Sequence, residues 1–222
     1  MRRLYHHPLS AAARLARIVL AEKGVPCEFV LEKPWERRDD FLALSPAGEV
    51  PVLEEADGVV AAGAWTVVEY LEEAYPNHPL LPREVAGRAE ARRLTEWFMV
   101  KFDREVTENL VGEKLLRRLS GEGHPHAAAI RAGLANIHYH LDYIAYLSER
   151  RAYLAGDHLT LADLAAAAQL STVDYLGDVP WDQAPEAKEW YARIKSRPSV
   201  RAVLADTIPG CPPPRHYADL DF

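Results

Sequence analysis

Cysteine is scarce: Cys27 and Cys211 are the two thiols in 222 residues. Two cysteines build neither a disulfide framework nor a thiolate metal cluster, and they give no sign of an oxidising compartment. A basic excess is also missing, since 33 acidic residues outweigh 26 lysines and arginines for a net charge of -7. That balance lacks the electrostatic footprint that nucleic acid or an anionic membrane surface requires. No apolar run approaches the roughly 18 residues of a membrane span. Met1-Arg2-Arg3 ahead of an Ala- and Leu-rich stretch has the outline of a secretory signal, but Pro8, Arg14 and Arg17 interrupt its apolar core. The expectation is a soluble, cytoplasmic protein.

What is present is ample apolar material, 49% of the chain, enough for one large or two small domains. Arg3 to His6 reads as a short strand ended by Pro8. Leu9 to Lys23 has helical spacing, with Ser10 as N-cap, Arg14, Arg17, Glu22 and Lys23 on the outer face, and Gly24 as the stop. Cys27 to Leu31 is a second strand and Asp39 to Leu44 a short helix. Val52 to Glu55 and Val59 to Ala61 form a hairpin about Ala56-Asp57-Gly58. A helix follows from Ala64 to Tyr75. Pro51 opens the hairpin's first strand, where a missing N–H costs nothing, and a cis bond after Val50 is compatible with the turn.

The order is strand-helix-strand-helix-strand-strand-helix over 1–76, then a proline-marked linker at 77–84. Residues 85–208 are helical throughout: Val85 to Leu119 with a break expected near Gly112, His126 to Arg150, Leu161 to Leu176, Ala187 to Ser196 and Val200 to Ala205. The third is apolar around its circumference, which predicts a buried central helix. Thr160 and Asp163 stand ready to cap its start reciprocally. Residues 209–222 read as a stiff, extended proline-rich tail. The pairs His6/His7, His124/His126 and His138/His140 lack completing ligands, so no metal site is expected.

In this order, Leu4 to Ser10, Val50-Pro51-Val52-Leu53, Val68 to Glu73, the Thr160–Asp163 cap and Tyr191 to Val203 resemble the cytosolic glutathione S-transferase superfamily. The resemblance implies an α/β thioredoxin-like N-terminal domain, an all-α C-terminal bundle and a homodimer with its ligand site near the domain cleft. It places a thiolate-stabilising hydroxyl at Ser10, although the same hydroxyl serves equally as a plain helix cap. It places glutathione's carboxylates and ammonium about Glu49, Val50, Pro51, Gly63 and Ala64. There the chain departs from the family: Glu49 replaces a Lys or Gln, and Gly63-Ala64 replaces an acid or Gln followed by Ser. Losing two contacts to charged groups, at about 1.5–3 kcal/mol each, weakens glutathione by a factor on the order of a hundred or more. Glutathione is therefore expected to bind weakly or not at all, with no other cofactor.

Met1 to Arg14, Lys33 to Arg38 and His216 to Phe222 are, more narrowly, similar to transferase-like division proteins of alphaproteobacteria that localise with the filament protein FtsZ. That similarity implies a non-catalytic module acting on FtsZ filaments; a Ser10-dependent transferase is the alternative. Trp35 and the terminal Asp219, Leu220, Asp221 and Phe222 are the expected partner-docking residues. Trp35 packed on its own domain, and a tail folded over its own subunit, are the competing readings.

Overall fold

The computed structural model describes residues 1–220, so Asp221 and Phe222 lie outside the described residues. Strands β1 (Arg3–His6), β2 (Glu28–Leu31), β3 (Val52–Glu54) and β4 (Val60–Ala62) form one sheet in the order β2-β1-β3-β4. β1 is parallel to β2 and antiparallel to β3, which turns back on β4. The parallel pair requires a crossover, supplied by α1 (Ala11–Glu22). Successive side chains of β1 and β3 serve opposite faces. Leu4 and Leu53 join the core shared with α1 and α3 (Ala64–Ala74), whereas Tyr5 and Val52 meet Phe41 of α2 (Asp39–Leu44). This is the expected thioredoxin-like half.

The linker is pinned down. Leu80 and Leu81 are buried, the Leu80 N–H donates to the Glu72 carboxylate at 3.1 Å, and the Leu80 carbonyl accepts from Leu161 at 3.0 Å. The helical half opens with α4 (Val85–Glu96), continues through π-type turns over Trp97–Leu116 and closes as α5 (Arg117–Ser120). The expected break at Gly112 does not occur; the helix stops at Gly121, where φ is +77°. Buried Phe98, Phe102, Val106, Leu110 and Leu115 recur every four or five residues, a spacing that holds one face only when the turns widen beyond about 3.6 residues. α6 (Ala127–Ser148) crosses this segment closely, and a Cβ added to Gly133 would lie 2.8 Å from Leu110 Cγ.

α7 (Leu161–Asp174) is buried at every position, as its sequence predicts. The reciprocal cap is formed: Ala162 N–H donates to Thr160 Oγ1 at 3.3 Å, and Thr160 N–H donates to Asp163 Oδ2 at 3.1 Å. Asp163 Oδ1 additionally accepts from Leu154 N–H at 2.9 Å and from the Trp190 indole of α8 (Pro185–Lys195) at 3.3 Å. α9 (Pro198–Leu204) begins on its proline, which suits the first helical turn.

Two expectations are corrected here. Arg14, Arg17 and Lys23 are not on an outer face: they are 0%, 8% and 5% exposed, the arginines because α7 and α9 cover that side and Lys23 because its ammonium turns in to pair with Glu72 at 2.7 Å. Arg14 Nη1 donates to Ser171 Oγ at 2.8 Å and to the Tyr217 hydroxyl at 2.9 Å, and Arg17 pairs with Asp206. The tail does not project as an extended arm over its first part. Ile208 bridges to Cys211, the Tyr175 hydroxyl donates to the Cys211 carbonyl at 2.7 Å, and Lys195 Nζ donates to the His216 carbonyl at 3.1 Å. Tyr217 ends this strap fully buried, edge-on to Tyr175. Prolines that stiffen the segment lay it against its own domain. Beyond it Asp219 is exposed and Leu220 half-buried.

Candidate functional site

The start of α1, the turn Pro34–Glu36 and the approach to β3 come together at one end of the sheet, facing the π-type segment of the helical half. Between the two domains they leave a cavity of about 520 Å³. Of the residues singled out in the sequence, Ser10, Trp35, Glu49 and Val50 line it together. Pro51, Gly63 and Ala64 are adjacent to one another, the Gly63 N–H donating to the Pro51 carbonyl at 2.9 Å, but they are not part of the cavity wall. The Val50–Pro51 bond is cis.

Ser10 caps α1: its Oγ accepts from Ala13 N–H at 3.2 Å. The hydroxyl proton is still free to point at a ligand, and the first N–H groups of α1 face the same way. Trp35 is half-buried, its ring edge-on to His7 with centroids 5.1 Å apart. Glu49 is exposed and Gly63 starts α3 without a side-chain cap.

The sequence reading missed much of the wall. His7, 6% exposed, contributes its ring; burial pushes its pKa down to about 4, so the imidazole is neutral. Its Nδ1 accepts from Leu9 N–H at 3.3 Å, which leaves the proton on Nε2. Across the cavity stand Asp103 and Thr107. Fully buried Gln169 of α7 holds both: its amide nitrogen donates to Asp103 Oδ1 at 3.0 Å, and its oxygen accepts from the Thr107 hydroxyl at 2.5 Å. Partial burial raises the Asp103 pKa above the usual carboxylate range. An amide inside the apolar run Ala165–Leu170 was the available signal for this network.

The remaining histidines have local duties. His140 is buried, accepts from the Trp97 indole at 3.1 Å and faces Glu105, while at the start of α6 the His126 backbone N–H donates to Glu113 Oε2 at 2.7 Å. Among the described residues no group of three or more metal-ligating side chains gathers.

With this geometry in place, comparison with known proteins is informative. Residues 4–79 match the glutathione S-transferase N-terminal domain and residues 122–198 the glutathione S-transferase C-terminal domain. The chain is 46% identical to FtsZ-localized protein A of Caulobacter vibrioides, over 100% of this chain and 98% of that protein. Among solved structures, a glutathione S-transferase from Rhodospirillum rubrum F11 is 58% identical with a TM-score of 0.98, each chain covered 100%. FzlA from C. crescentus is 46% identical with a TM-score of 0.96, covering 100% of this chain and 99% of the other.

Proposed function

The chain belongs to the glutathione S-transferase family, and from that premise we propose that it is a non-catalytic dimeric module of bacterial cell division, acting in the cytoplasm on FtsZ filaments. The observation that carries the reading is the condition of the tripeptide pocket. Glu49 presents a carboxylate beside Val50, where a carboxylate of glutathione would have to lie, and like charges repel there. Gly63-Ala64 offers only backbone N–H groups to the other end of the tripeptide. Glutathione is thus bound weakly or not at all. The likeness to a relative named for its localisation with FtsZ supports that partner.

Trp35 on the N-terminal domain and Asp219 and Leu220 on the tail are the described docking residues; Asp221 and Phe222, also assigned to docking, lie outside the described residues. The family fold, together with apolar groups left exposed on the helical half, supports the homodimer: Val100 is 45%, Tyr139 58% and Tyr146 53% exposed.

The test pairs two assays on one sample: cosedimentation with FtsZ filaments, and conjugation of glutathione to an aromatic electrophile. The expected result is pelleting without turnover. Truncation after Ala218 abolishes pelleting while leaving Tyr217 in place; a longer deletion would unfold the core rather than test docking. One observation favours the alternative, a transferase: Ser10 stands on the cavity wall at a helix start. Turnover that disappears in Ser10→Ala selects that alternative and sinks the proposal.

A further inference from the structure

The charge on the cleft points to a ligand class opposite to the family's tripeptide. Among the described residues lining the cavity, Glu49, Asp103, Glu108 and Glu122 have no guanidinium or ammonium partner. The one guanidinium on that lining, Arg117, is committed to Glu113 at 3.6 Å. The start of α1 contributes about half a positive charge and the buried Arg14 guanidinium behind His7 one more, together too little to offset four carboxylates. A concave site lined by one sign of charge concentrates the opposite ion.

Two further observations separate this from a scatter of surface acids. Asp103 is pre-oriented by buried Gln169, which occupies one carboxylate oxygen and leaves Oδ2 for a ligand. His7 is more than nine-tenths buried, lines the cavity, and carries a proton on Nε2 that meets no acceptor among the described residues. Leu9, Val50, Leu116 and Trp35 give the remaining wall an apolar, partly aromatic character.

We infer that the cleft binds a small organic cation: an ammonium or amidinium directed at Asp103, on a flat apolar body against Trp35, with a neutral acceptor oxygen for His7 Nε2–H. This rests on the reading that glutathione is not the ligand, and it deepens that reading by naming what replaces it.

Calorimetry on the full chain with three ring-matched probes tests it. Tyramine carries the cation, tyrosol replaces it with a hydroxyl, and para-hydroxyphenylacetate replaces it with an anion. A charge-assisted contact predicts tyramine binding about tenfold or more tighter than tyrosol, with no heat from the acetate. Phenethylamine, lacking the acceptor oxygen, binds a few-fold more weakly than tyramine, on the order of one neutral hydrogen bond. Asp103→Asn keeps an oxygen for Gln169, so the fold survives while the preference for tyramine over tyrosol collapses. Equal binding of all three probes, a preference for the anion, or silence from tyramine overturns the inference. Glutathione titrated into the same sample keeps the two readings apart. A tight response to the tripeptide defeats the closed-pocket reading, whereas silence from both glutathione and tyramine defeats the cation alone.

Discussion

Two helices of this protein begin in opposite ways. α7 starts with a complete set of side-chain caps, buried and reciprocated, with Asp163 also tying down Leu154 and Trp190. α3 starts on Gly63 with no side chain at all, next to the cis proline turn. The first helix start holds the two domains' common core in register. The second carries no side-chain cap, and the proposed function rests on its being the start that would meet one end of the tripeptide. On the proposed reading the residues that build the fold are present while those that would hold the family's tripeptide are not, a separation expected when function sits in a site grafted on a scaffold.

Asp163→Ala breaks the furnished start and carries the largest expected effect. It strands two backbone N–H groups and an indole in the core, a loss of about 4 kcal/mol in chemical denaturation at roughly 1–3 kcal/mol per unpaired group. Acid challenges the cleft side instead. Burial holds His7 at about 4, below its value of about 6.5 in an unfolded chain, so the unfolded state takes up the proton first. The contribution is complete above about pH 6.5 and is lost as pH falls toward 4, up to about 3 kcal/mol for this imidazole. Buried His6 has the same direction and cause. Unfolding midpoints measured across that interval should fall, and a flat profile would show that His7 is hydrated.

Refurnishing the bare start sharpens the comparison from the other side. Glu49→Gln and Ala64→Ser combined, with Gly63 kept because its φ of +89° disfavours a side chain, should tighten glutathione about tenfold by calorimetry, equivalent to about 1.4 kcal/mol. No gain would mean that the loss lies elsewhere in the pocket. Thr160→Ala is the mildest test, removing one cap acceptor at a cost of about 1 kcal/mol in the same denaturation experiment.

The succession of strands and helices along the chain and the α7 cap were legible because each rests on local pattern: alternation in two, apolar spacing, a Thr and an Asp three apart. Arg14 and Arg17 were misread for the opposite reason. Three apart in an Ala-rich helix they look like a solvated face, and what covers them comes from the far end of the chain. The widened turns of Trp97–Leu116 were visible in the spacing of Phe98, Phe102 and Val106 but resembled an ordinary amphipathic helix. In the cleft, Ser10, Glu49 and Val50 came from one contiguous domain and could be gathered by motif, whereas Trp35 was read as a docking residue and its place on the cavity wall was not foreseen. Asp103 and Thr107 belong to the other wall, and only tertiary contact through Gln169 shows that they share a site.

The Arg14–Tyr217 contact joins residues 203 positions apart. During synthesis, then, the first helix leaves the ribosome with a guanidinium that has its Pro8 carbonyl but whose Nη1 acceptors, Ser171 and Tyr217, have not yet been made. The amino-terminal half can collapse early, but a guanidinium buried within it gains its tyrosine partner only after the whole helical half has been made.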